Sequence, residues 1–232
     1  VPTLYGYSRH VLPRPADWPA EHQVTGYWFL DAPDDWTPPP DLAAFLAAGE
    51  PPVYIGFGSM GSRDPGATAR LAVEALARAG RRGILAAGWG GLTATDLPAT
   101  IFPLGAIPHA WLFPQMAAIV HHGGAGTTAA ALRAGVPSLV VPFGLDQPFW
   151  GRRVAELGVG PSPIARGALT ARGLANALRD TLADGAIRHR AAALGRAISA
   201  EEGIGTAVTL IERHAARTAR TSTPPYARHG AG

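Results

Sequence analysis

The 232-residue sequence has no cysteine and no lysine. Without thiols there is no disulfide scaffold, no thiolate zinc site and no iron–sulfur cluster, and the cytoplasm is the simplest expected compartment. Without lysine all twenty basic residues are arginine, which excludes Schiff-base chemistry and the phosphate-gripping lysine of a P-loop. No run approaches the roughly 18 uninterrupted apolar residues that a membrane-spanning helix needs. The opening VPTLYGYSRH lacks a methionine and any charged-then-apolar signal pattern, so the chain reads as an internal piece of something longer. Only 16% of residues are charged and the net charge is +3. The arginines are scattered rather than clustered, so the basic balance does not point to nucleic acid. An Ala-, Arg- and Gly-rich chain without lysine fits a high-GC bacterial genome.

What is present is an ordinary globular balance, 47% hydrophobic, with 29 glycines and 22 prolines marking turn-rich loops. Residues 1–40 are proline-punctuated and read as a linker or lid; within them VTGYWFL (24–30) is a short β-type run. From residue 41 the pattern becomes regular. A short helix ends at Gly49, then strands are expected at 51–57, 83–87, 101–104, 117–121 and 137–141. Helices are expected at 67–79, 109–113, 126–134, 147–157, 170–183, 186–200 and 203–215. Continuously apolar strands separated by helices imply a parallel sheet covered on both faces, a doubly wound, Rossmann-like α/β domain over residues 41–215. Residues 216–232 have the composition of a disordered tail.

Two glycine loops follow strands. GFGSMG (56–61) formally matches the dinucleotide fingerprint, but the next strand ends AAGWGG with no carboxylate to hold a ribose. The second, HHGGAGTTAAALRAG from His121, is more specific. A strand ends in histidines, glycines follow, and a helix opens with a hydroxyl in its first turn. Unpaired amides and small residues thus collect beyond the carboxyl end of a strand, as a diphosphate requires. His122 and Thr127 would donate to phosphate oxygens, with Ser59 from the first loop reaching the same group. Neighbouring strand residues point to opposite faces, so only one of the two histidines faces a ligand, and His121 is read as a core or rim histidine. One strand later, Asp146 and Gln147 place a carboxylate and an amide side by side, a pair suited to vicinal sugar hydroxyls.

Together with VTGYWFLD, VYIGFGSM and IPHAWLFPQMAAIVHH, the long segment from His121 to Pro161 resembles the nucleotide-sugar-binding half of family 1 glycosyltransferases, most of all the sterol 3-β-glucosyltransferase group. The resemblance covers about residues 20–215 and implies the C-terminal half of a GT-B fold, residues 1–40 being the linker and the end of an N-terminal acceptor domain. It makes His122, Gly124, Ala125, Gly126 and Thr127 the diphosphate loop, with Ser59 its partner, and Asp146 and Gln147 the donor-sugar ligands. The nucleoside would lie near Ile107, Pro108 and His109, with Trp89 as an aromatic wall. Two positions depart from the plant pattern, where a tryptophan stands in place of Ala106 and a glutamate in place of Ala130.

The implied reaction is inverting hexosyl transfer from UDP-glucose or a similar nucleotide sugar to a sterol, lipid or natural-product hydroxyl. No DxD pair follows a strand, so no metal or other cofactor is expected, and fixed donors would stabilise the leaving diphosphate. The resemblance places the general base in the N-terminal domain, so no catalytic residue is assigned here; His10 and His22 match the linker region. Expected partners are the UDP-sugar and an acceptor-binding domain or partner subunit, with peripheral membrane contact if the acceptor is a lipid. Two alternatives are a stand-alone nucleotide-sugar-binding subunit and, from GFGSMG, an NAD-dependent oxidoreductase.

Overall fold

The computed structural model describes residues 2–57, 65–86 and 97–221. The chain forms two compact units, one made of the residues through Phe29 together with those from Ala200 onward, the other Leu30–Ser199.

In the first unit, β1 (Thr3–Tyr5) pairs in parallel with β2 (His22–Val24). Between them Tyr5 packs on Trp18 with ring centroids 4.3 Å apart, and its hydroxyl meets His22 Nδ1 at 2.9 Å. Arg14 donates to the carbonyls of Pro15, Trp18, Pro19 and His22. This proline-rich stretch is held by the Arg14 guanidinium, which collects four backbone carbonyls, and by the packing of the Tyr5, Trp18 and His22 rings. The expected strand at 24–30 is not formed. Pairing stops after Gly26 donates to the Tyr7 carbonyl, and φ of +98° at Gly26 turns the chain away. The helix α8 (Gly203–Thr221) completes this unit and runs six residues past the limit of 215 read from the sequence.

The second unit carries a five-stranded parallel sheet in the order β5-β4-β3-β6-β7. Its strands are β3 (Val53–Gly56), β4 (Gly83–Ala86), β5 (Ile101–Leu104), β6 (Ala118–His121) and β7 (Ser138–Val140). All strand bounds fall within one to two residues of the apolar runs. Alternation along the strands divides the core. Val53, Ile55, Ala118 and Val120 face one way, onto Leu76 of α2 (Pro65–Ala79) and Leu174 and Leu178 of α6 (Ala171–Ala183). Tyr54 and Ile119 face the other way. There they meet Leu42 of α1 (Pro40–Ala47), Leu112 of α3 (His109–Leu112) and Ala131 of α4 (Ala125–Ala134). Helix α5 (Gln147–Glu156) follows β7, and α7 (Gly185–Ser199) packs on α4.

The chain builds β3, β4 and β5 outward on one side, then returns to place β6 and β7 on the other. The reversal lies between β3 and β6, where a doubly wound sheet opens a crevice beyond its carboxyl ends.

Candidate functional site

The carboxyl ends of β5, β6 and β7 deliver Ile107–His109, His121–Thr127 and Asp146–Gln147 to the same end of the sheet. Ser59 and Trp89 lie outside the described residues.

His121 ends β6, in register with Gly56 of β3, and is fully buried. His122, one residue on, is half-buried and leaves the strand. Its ring folds onto Gly124, the N-cap of α4, and its Nε2 occupies the space that a Cβ at Gly124 would fill. No side chain caps that helix end, so the amides of its first turn are the orphan donors every helix start carries. Gly126 stands there with open space around the position of a Cβ, so no packing contact accounts for this glycine. Thr127 is partly exposed beside it, while Thr128 turns inward and donates its hydroxyl to the Gly124 carbonyl at 2.9 Å. Desolvation holds His122 below its ordinary pKa, and the Asp146 carboxylate opposes that shift. At neutral pH His122 is a neutral hydrogen-bonding group.

The Asp146 turn is built differently from the cap that its position suggests. Asp146 makes no side-chain cap bond; its Oδ2 accepts from Trp150 Nε1 at 2.8 Å. Gln147 is buried, and its Oε1 accepts from the amides of Phe143 at 2.7 Å and Gly144 at 3.2 Å. With both lone pairs of that oxygen used, any hydrogen bond from Gln147 to a hydroxyl falls to its Nε2. Between these residues Leu145 takes φ of +57°, the one non-glycine residue with positive φ among those described, and its side chain is 87% exposed. Nothing in the sequence pattern marks it.

The two turns are packed directly together. A Cβ at Gly123 would lie 2.7 Å from Val140 Cγ1 and 3.0 Å from the Gln147 carbonyl oxygen, and φ there is +90°. Glycine is required on both counts. Gly56, first of the GFGSMG glycines, has a steric reason too, because the Tyr54 ring lies over its Cα.

At the third strand end, Pro108 caps α3 and His109 stacks on Phe113 with centroids 4.2 Å apart and 14° between planes. Desolvation lowers its pKa. Ile107, Pro108 and His109 are each partly exposed on the edge strand's loop, which offers a surface rather than a closed slot.

Comparison with known proteins gives the family. Residues 86–208 match the family model described as Erythromycin biosynthesis protein CIII-like, C-terminal domain. The chain belongs to this family, the C-terminal domain of family 1 glycosyltransferases. It is 43% identical over 215 residues to a sterol 3-beta-glucosyltransferase of Arabidopsis thaliana, covering 92% of this chain and 34% of that protein. It is 42% identical over 226 residues to the O-mycaminosyltylonolide 6-deoxyallosyltransferase of Streptomyces fradiae, covering 96% of this chain and 52% of that one. The calicheamicin glycosyltransferase CalG4 shares the fold with a TM-score of 0.75 at 24% identity, over 96% of this chain and 53% of its own. The glycosyltransferase VinC, solved in complex with dTDP, superposes with a TM-score of 0.58 at 27% identity, over 73% of this chain and 44% of its own. The chain spans about a third of the length of the sterol glucosyltransferases of Arabidopsis thaliana that it matches. With the family shown, the oxidoreductase alternative drops out. No helix among the described residues is long and apolar enough to cross a membrane.

Proposed function

We propose that this domain binds the nucleotide-sugar donor of an inverting glycosyltransferase, UDP-glucose or a close analogue, for transfer to a sterol, lipid or natural-product hydroxyl. The observation that carries the reading is the His122 ring folded over the uncapped start of α4, with Asp146 delivered to the same end of the sheet by the neighbouring strand. The diphosphate would take the first-turn amides of Ala125, Gly126 and Thr127, the imidazole of His122 and the Thr127 hydroxyl. Ser59 joins this set by resemblance alone. The hexose would then lie toward Asp146, with the carboxylate accepting from a hydroxyl and Gln147 Nε2 donating. The nucleoside would extend along Ile107, Pro108 and His109, and Trp89 joins this set by resemblance alone.

In the displacement, the acceptor oxygen forms a bond to the anomeric carbon as the bond to the diphosphate breaks, and negative charge accumulates on the departing oxygens. Donors already aimed at that charge need no reorganisation, and each is worth about 2.7–4 kcal/mol in comparable sites. The helix terminus adds up to ~2 kcal/mol. The acceptor's proton goes to a base that the resemblance places on another domain. This donor set calls for no metal, so chelation with EDTA is expected to leave UDP affinity unchanged.

Calorimetric titration with UDP, UDP-glucose, dTDP and NADH tests the reading. Heat is expected from UDP and UDP-glucose and none from NADH. His122→Ala removes one donor to a charged ligand and is expected to weaken UDP about tenfold to a hundredfold. A response to NADH alone, or an alanine variant that binds UDP unchanged, would refute it.

A further inference from the structure

His121 is the largest fully buried polar side chain described, yet a solvent-sealed imidazole is a poor core filler. Leu or Phe would fill the same space without two polar nitrogens to satisfy. Its Nδ1 accepts a hydrogen bond of 3.1 Å from the backbone amide of Gly123. That assignment fixes the ring as the neutral tautomer with the proton on Nε2. Nε2 itself is sealed from solvent with no partner among the described residues. A buried donor is thus left unmatched while the acceptor on the other side of the ring is used. What the protein retains by keeping histidine here is the Nδ1 bond.

The bond lies at a crowded place that only glycine fits. Gly123 has φ of +90° and sits against Val140 and the Gln147 carbonyl. It is also the link between His122 and Gly124, the residues that form the mouth of α4. His121 stands in register with Gly56 at the end of the neighbouring strand.

We propose that His121 is a positioning residue: by accepting from the Gly123 amide it locks the left-handed turn that aims His122 and the first-turn amides of α4 at the donor diphosphate. The proposal rests on the donor-site reading given above. His121 touches no ligand in this scheme and acts only through the loop. Two variants separate acceptor chemistry from volume. The Oδ1 of His121→Asn falls near the place of Nδ1 and can accept from the same amide; His121→Leu fills the space and cannot.

The experiment is a pair of measurements on the full chain and both variants, with circular dichroism recording the fold. In the first, UDP and uridine are titrated calorimetrically. His121→Leu is expected to weaken UDP about tenfold to a hundredfold, the equivalent of leaving a buried amide unsatisfied, with uridine binding unaltered. His121→Asn is expected to restore most of the UDP affinity. In the second, amide hydrogen exchange at Gly123 is followed without ligand, fast in His121→Leu and slow in wild type and His121→Asn. A folded His121→Leu that binds UDP like wild type, or a folded His121→Asn as impaired as His121→Leu, would overturn the proposal. If wild type itself fails to bind UDP, the donor-site reading is what fails. The exchange data then still decide the loop lock, since equal Gly123 protection in all three proteins refutes it and selective loss in His121→Leu supports it. Should His121→Leu not fold, the same comparison is made between wild type and His121→Asn, where Gly123 exchange as fast as in an unstructured peptide overturns the proposal and retained protection supports it.

Discussion

Three histidines at the end of one sheet stay neutral for a shared reason. Burial pushes His121 down to about 3, with His122 and His109 adding like-charge opposition, and burial lowers His122 and His109 as well. The folded state therefore binds fewer protons than the unfolded chain between the ordinary imidazole pKa of about 6.5 and the folded value. Stability is full above about pH 6.5 and falls as pH drops toward 3, by up to about 1.4 kcal/mol per pH unit for His121 alone. Urea unfolding midpoints measured between pH 7.5 and 4.5 should decline, and His121→Asn should flatten part of that decline. At this scale alternation along β6 already separated the two histidines and read His121 as a core or rim residue, and the structure buries it fully. The use of its Nδ1 was not legible, because a bond to an amide two residues on depends on φ of +90° at Gly123, which no periodicity specifies.

Among the elements, α4 and α7 meet through glycines. A Cβ at Gly195 would come 2.6 Å from Gly135 Cα and 2.9 Å from the Arg133 carbonyl oxygen, backbone atoms that cannot rotate away. Gly195 lies inside α7, where alanine is intrinsically favoured by about 1 kcal/mol. Gly195→Ala should nonetheless destabilise, because the helices must separate and overpacking costs typically 1–3 kcal/mol; a melting temperature that rises instead would show that α7 shifts freely. Since α4 carries the His122 cradle, UDP affinity should weaken in the same variant. Thr170, the N-cap of α6, accepts from the Gly173 amide at 3.0 Å. Thr170→Ala should cost about 1 kcal/mol and leave UDP affinity alone, being on a helix that packs on the opposite sheet face. The helix ends were read from sequence to within two residues except at α8, whose last turns lack the apolar spacing that marks a boundary.

For the whole molecule, the purified chain should bind UDP but form no glucoside when given UDP-glucose and a sterol in detergent. The acceptor base and pocket are expected on a further domain, and the matched relatives of Arabidopsis thaliana are about three times as long as the matched region. Product detected by mass spectrometry from this chain alone would mean that the base lies within it. In the first unit Glu201 Oε1 lies 3.6 Å from Arg9 Nε and 3.9 Å from His10 Nε2, and burial, with Glu201 adding to it, raises the Tyr27 pKa.

The sequence by itself determined the class of fold, the strands and helices of residues 41–200, and the glycine loop on which the donor site is proposed. Those rest on short-range rules: apolar runs, helical spacing, and glycine where a backbone must bend. The order of the sheet, the burial of Gln147 with its oxygen turned onto the Phe143 and Gly144 amides, the Asp146–Trp150 bond and the His121–Gly123 lock were decided only by the tertiary structure. Each depends on which groups are brought together once water is excluded. A buried polar atom must take whatever partner the packing supplies, and a local pattern carries no record of that choice.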